Sequence, residues 1–198
     1  EVLIKALDCW GINGVKKLEG MWAFFYHDST SNTSYLCRDR FGEKPLFYMR
    51  KPNEIFFGSE IKFIKCLNNE NLRINYNKLK EFLKFGYKIL NKDNTTNYKD
   101  IFSVPSGCYL RIRNHKIDKF IYWKIKTDIR ELPQTDYVKE LKERFFKSIE
   151  LRLRSDFPIA FFLSGGIDSN ALAFIAKKYF GYNLKTYSVI SSDPRYDE

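Results

Sequence analysis

The chain has 198 residues, 44% of them hydrophobic and 17% aromatic, which is enough to bury a core as one large domain or two small ones. Its formal net charge of +10 favours anionic partners, but the Lys and Arg residues are interspersed with acids and make no long basic run. This pattern argues against a nucleic-acid interface, and no apolar stretch has the length of a membrane span.

In chain order, Glu1 to Trp10 already reads as the body of a helix, with Val2, Leu3, Ala6, Leu7 and Trp10 on one face. Gly11 and Gly14 close it. Met21 to Tyr26 and Ser34 to Cys37 are strand-like around a polar hairpin loop from His27 to Thr33, and Leu46 to Met49 and Ile55 to Phe57 make a second such pair. The expectation is a four-stranded meander after one helix. His27, at a strand end before a turn, reads as a surface residue in preference to a ligand or base. Between the two pairs lies a charged block in which Arg38, Asp39, Arg40 and Lys44 are read as structural ion pairs around Gly42 and Pro45, where the chain turns.

Leu79 to Phe85 is helical and Gly86 can end it, Asn91 to Asn97 is a loop, and Pro105-Ser106-Gly107 turns into a hairpin of Cys108 to Arg113 and Ile117 to Trp123. Lys124 to Gln134 is charged and reads as a linker. An amphipathic helix follows from Asp136 to about Arg154, capped by Thr135, with Val138, Leu141, Phe145, Ile149 and Leu153 as its buried stripe. Cys9, Cys37, Cys66 and Cys108 are far apart with no C-x-x-C pair, so neither a zinc site nor a disulfide framework is visible. Free thiols without a signal peptide fit the cytoplasm.

The richest stretch comes last. Pro158 to Leu163 is uncharged and suits a strand buried on both faces of a parallel sheet. A helix is expected from about Ser169, with Ala171, Leu172, Ile175 and Ala176 on its apolar face, and Lys185 to Ile190 as the next parallel strand. Between strand and helix, Ser164-Gly165-Gly166-Ile167-Asp168-Ser169 offers two residues without a Cβ and a helix N-terminus, a suitable place for phosphate. It lacks the lysine of a Walker A loop. Asp168 beside phosphates calls for a divalent cation between them, and Mg²⁺ is the natural reading. The plainer alternative is that Asp168 or a serine is only an N-cap and Ser-Gly-Gly only a turn.

This loop resembles the SGGxDS pyrophosphate loop of the ATP pyrophosphatases. Gly20-Met21-Trp22-Ala23-Phe24, Arg38 to Tyr48 and Gly58-Ser59-Glu60-Ile61-Lys62 are, in the same order, similar to the second half of the glutaminase domain of glutamine-hydrolysing asparagine synthetases. The resemblance implies an α+β part of an N-terminal-nucleophile (Ntn) hydrolase sandwich over 1–123 and a linker over 124–134. An α/β parallel-sheet ATP pyrophosphatase part, of the adenine nucleotide alpha hydrolase kind, would follow over 135–198.

It also implies an enzyme that adenylates the β-carboxylate of aspartate with ATP and Mg²⁺ and takes nitrogen from glutamine. Partners would then be small molecules, with no nucleic acid and no membrane, and the assembly is open to a homodimer. Ser164, Gly165, Gly166 and Ser169 would cradle pyrophosphate, Asp168 would orient the metal, and Phe162, Leu163 and Val189 would wall the adenine. Phe162 in place of a leucine is expected to crowd that pocket. Asn170, where the family commonly has serine, is expected to be a mild change because the next residue already faces the helix. The family's amino-terminal cysteine would lie before Glu1 and its SGEGxDE segment beyond Glu198, so an internal fragment is expected. A relative with another carboxylate acceptor, for amidation or peptide cyclisation, and an inactive nucleotide-binding remnant are the alternatives.

Overall fold

A computed structural model describes residues 1–86, 93–127, 133–190 and 193, and divides the chain into two units, Glu1–Lys126 and Thr127–Glu198. The fold class is mixed α/β with small sheets. The first unit opens with helix α1 (Val2–Trp10), which runs directly into a 3₁₀ segment, Gly11–Lys17. Gly11 (φ 58°) marks the change of path, so the glycines redirect the helix without ending helical structure.

Strands β1 (Ala23–Asp28), β2 (Thr33–Arg38), β3 (Phe47–Arg50) and β4 (Ile55–Gly58) stand where alternation placed them, but they do not form one meander. β2 takes β6 (Cys108–Arg113) as its second partner, and β6 pairs with β7 (Lys116–Ile121), giving an antiparallel sheet in the order β1-β2-β6-β7. β3 lies between β4 and β5 (Ile101–Ser103) in a second sheet. The reason lies in β2, which is apolar on both faces: Leu36 and Cys37 are both fully buried. Leu36 packs with Leu46, Val104 and Leu110 in a cluster that draws on both sheets, while Cys37 packs with Leu7, Val15 and Tyr122 under α1 and the 3₁₀ segment. A strand buried on both sides belongs inside a layered core, beside a partner remote in sequence.

Helix α2 (Ile61–Asn68), a segment that periodicity did not bring out, covers the other side of the second sheet, where Ile64 meets Met49 and Ile101. Helix α3 (Tyr76–Phe85) ends as expected at Gly86, which is left-handed and returns its N–H to the Phe82 carbonyl. The loop expected from Asn91 to Asn97 lies partly outside the described residues, as does the linker expected from Lys124 to Gln134.

In the second unit, α4 (Gln134–Arg152) begins after Pro133 with no side-chain cap, and Thr135 sits inside the helix where it cannot cap it. Of the expected stripe, Ile149 is buried but Val138, Leu141 and Phe145 are exposed. α4 meets α5 (Ile167–Phe180) through Phe146, which makes an edge-to-face pair with Tyr179, ring centroids 4.8 Å apart. Strands β8 (Ala160–Phe162) and β9 (Lys185–Tyr187) pair in parallel around α5, a βαβ unit with Phe161 opposite Thr186. β8 is not buried on both faces: Phe161 is half-buried against Tyr182, and Phe162 is 77% exposed. Neighbouring side chains on a strand point to opposite faces, and among the described residues only the Phe161 face is covered. No described helix is long and apolar enough to cross a membrane.

Candidate phosphate-binding site

Parallel pairing brings the carboxyl ends of β8 and β9 to one edge, the edge at which ligands bind in open α/β sheets. Leu163 extends the pairing by donating its N–H to the Tyr187 carbonyl at 2.9 Å, and the chain then leaves the sheet through Ser164 to Gly166. Gly165 has φ 82°, a conformation open to glycine at little cost, and Gly166 is the last residue before α5. The loop is tied to itself by its serines. Ser164 N–H donates to Ser169 Oγ at 3.3 Å, the two hydroxyls lie 3.2 Å apart, and Ser169 Oγ donates to the Gly166 carbonyl at 3.1 Å.

Helix α5 starts at Ile167 with Gly166 in the cap position and no side chain capping it. Asp168 is therefore not the N-cap of the plainer reading. It sits in the first turn, exposed, with no hydrogen bond or ion pair among the described residues. Its carboxylate thus stands beside helix N–H groups that have no intrahelical acceptor. Such an edge, with free N–H donors, two hydroxyls and an unpaired carboxylate, can take an anion together with a cation.

The residues expected to wall an adenine lie at the same edge: Phe162 ends β8, Leu163 follows it, and Val189 comes two residues after β9. Phe162 and Val189 are 77% and 91% exposed, and the Phe162 ring lies 6.4 Å from that of Tyr187 on β9. Asn170 is the residue that sequence reasoning underrated. Its side-chain amide donates to the carbonyls of Gly165 and Gly166 at 3.1 and 3.0 Å, so it is a part of the loop. An asparagine one turn after a Gly-Gly pair was the available signal.

The charged block of the first unit holds structure together by backbone contacts more than by ion pairs. Asp39 is fully buried, and its carboxylate accepts the N–H groups of Trp22, Phe41, Glu43 and Lys44 at 2.9 to 3.2 Å. Burial pushes its pKa up, but the four N–H groups together outweigh that and hold it below the ordinary aspartate value. Arg38 spreads its guanidinium over the carbonyls of Gly42, Lys44 and Val104 at 2.7 to 2.8 Å.

Cys37 and Cys108 are buried, and burial pushes both thiols up, away from the reactive thiolate. His27 is exposed and bonded to Ser34. Among the described residues no group of three or more His, Cys, Asp or Glu side chains is placed to hold a metal.

Residues 1–123 match the family model described as glutamine amidotransferase domain, and residues 140–198 match the one described as asparagine synthase. The chain belongs to the glutamine-hydrolysing asparagine synthetase family. Curated relatives agree along its length. Asparagine synthetase [glutamine-hydrolyzing] 1 of Bacillus subtilis is 30% identical over 96% of this chain and 29% of its own length. Asparagine synthetase [glutamine-hydrolyzing] 3 of the same organism is 31% identical over 96% of this chain and 31% of its own. The amidase chry2 of Gibberella zeae is 26% identical over 87% of this chain and 26% of its own. The chain thus spans about a third or less of the length of these family relatives.

Proposed function

We propose that this chain is the domain junction of a glutamine-dependent, ATP-using asparagine synthetase. Residues 1–123 belong to the Ntn-type glutaminase sandwich, 124–134 to the linker, and 135–198 to the ATP pyrophosphatase domain. The observation that carries the reading is the Ser164–Ser169 loop at the carboxyl edge of a parallel strand pair, in a chain of this family. The N–H groups at the start of α5, with the Ser164 and Ser169 hydroxyls, bind the β and γ phosphates of ATP. Phe162, Leu163 and Val189 flank the adenine; Phe162 and Val189 are exposed and offer apolar surface at that edge.

One carboxylate with phosphate oxygens is a donor set that Mg²⁺ accepts, and Asp168, exposed and unpaired, fits it. Held there, such an ion would supply neutralisation of the phosphate charge. The residues of the loop then hold pyrophosphate as a leaving group while the aspartate β-carboxylate attacks the α phosphate. Ammonia from glutamine displaces AMP to give asparagine. No cysteine of this chain takes part in glutamine hydrolysis: Cys9 and Cys66 lie within α1 and α2 and have no free α-amino group to serve as base, and Cys37 and Cys108 are buried.

The test uses a protein of the relatives' length that carries this chain, supplied with aspartate labelled in its carboxylate with heavy oxygen. A labelled oxygen atom is expected in AMP, with pyrophosphate released. Formation of ADP and inorganic phosphate would overturn the reading.

A further inference from the structure

We infer that Asn170 is the positioning residue that aims the loop's N–H groups at phosphate, an inference that rests on the phosphate reading above. The loop owes its close approach to two successive glycines, but the same freedom lets the peptide between them rotate at little cost. A loop that can turn its N–H groups away binds anions poorly unless something fixes the peptide planes. The Asn170 side chain does so from the first turn of α5. Its Nδ2 donates to the Gly165 carbonyl at 3.1 Å and to the Gly166 carbonyl at 3.0 Å.

A trans peptide is planar with its C=O and N–H pointing in opposite directions. Drawing the Gly165 and Gly166 carbonyls toward the helix therefore turns the N–H groups of Gly166 and Ile167 to the other side. The Gly166 N–H makes only a long bond to Ser164 Oγ, 3.3 Å, and the Ile167 N–H opens the helix with no intrahelical acceptor.

The two carbonyls depend on Asn170 unequally. Gly166 O also accepts the Asn170 backbone N–H at 3.3 Å and Ser169 Oγ at 3.1 Å. Gly165 O has Asn170 as its side-chain donor among the described residues. The orientation of the Gly165–Gly166 peptide, and of the Gly166 N–H with it, is what the asparagine contributes. Asn170 is itself exposed, so its replacement does not disturb a packed core. Asn170→Leu keeps the size and removes both donors. Asn170→Ser can still reach the carbonyl one turn back, that of Gly166, but loses the tie to Gly165.

The experiment titrates the full chain with inorganic pyrophosphate and Mg²⁺ by calorimetry, and follows backbone amide resonances by NMR, with circular dichroism checking the fold. Wild type is expected to bind and to shift the Gly166 and Ile167 amide signals. Asn170→Leu should bind about tenfold more weakly with those two shifts lost, and Asn170→Ser should fall between. Equal affinity of wild type and Asn170→Leu would overturn the inference while leaving the phosphate site standing. Absence of binding by wild type would overturn the site and the inference together. Should Asn170→Leu not fold, Asn170→Ser decides, and wild-type affinity and amide shifts in that variant would overturn the inference.

Discussion

Asp39 is buried with no ion pair among the described residues, and four backbone N–H groups take the place of a counter-ion. Charge-assisted bonds of this kind are about twice as strong as neutral ones, and a charge left without them is costly. Asp39→Ala, which strands four donors, is expected to lower the unfolding free energy by about 3 kcal/mol, read by urea denaturation. The pH dependence has a definite sign. Because the folded carboxyl titrates below its unfolded value, its contribution is complete above about pH 4 and disappears as pH falls through the folded value. Wild type should therefore lose stability more steeply than Asp39→Asn on acidification, and parallel pH profiles of the two would refute this account. The importance of this block was legible as dense charge beside Gly42 and Pro45; its bonding was not. Ion pairs were expected because the charges are dense around a turn, whereas Arg38 and Asp39 found main-chain carbonyls and N–H groups that only the folded turn presents.

At the scale of elements, local signals placed most strands and helices to within two or three residues, passed over α2 and β5, and did not identify the partners of the strands they found. Alternation located β2, yet nothing local indicates that Leu36 faces Leu110, because that pairing depends on layers closing across many intervening residues. The α4 stripe was read from spacing alone, and spacing does not tell what covers a face. Turns were read better, and they give a graded prediction. Gly107 has φ 62°, and a Cβ there would stand 2.6 Å from the Trp123 carbonyl oxygen, so Gly107→Ala is expected to cost about 3 kcal/mol. Gly86 has φ 70° with open space around it, so Gly86→Ala should cost only the backbone term, about 1 kcal/mol. Equal losses in thermal unfolding of the two variants would show that the hairpin end is looser than the 2.6 Å approach requires.

For the molecule as a whole, burial sorts the four cysteines into two classes. Cys9 and Cys66 are exposed, while Cys37 and Cys108 are enclosed with raised thiol pKa values. A thiol reagent at neutral pH should label the first two in the native chain and all four only after unfolding. Rapid labelling of Cys37 would mean that the layer under α1 opens. Family membership was readable from blocks in order along the chain, since those residues are fixed by turns and a loop whose chemistry is local. The contacts of Asn170 were signalled only by its place one turn after the Gly-Gly pair, because a side chain reaching back to the main chain leaves no period in the sequence.

The central claim is that the Ser164–Ser169 loop holds the pyrophosphate end of ATP with Asp168 facing the metal. Its most direct test is the equilibrium binding of ATP, with and without Mg²⁺, by wild type and Asp168→Ala. Wild type is expected to bind in a Mg²⁺-dependent manner, and Asp168→Ala to lose at least about tenfold in affinity and most of the response to Mg²⁺. Binding of the same strength and the same metal dependence in both proteins would contradict the assignment.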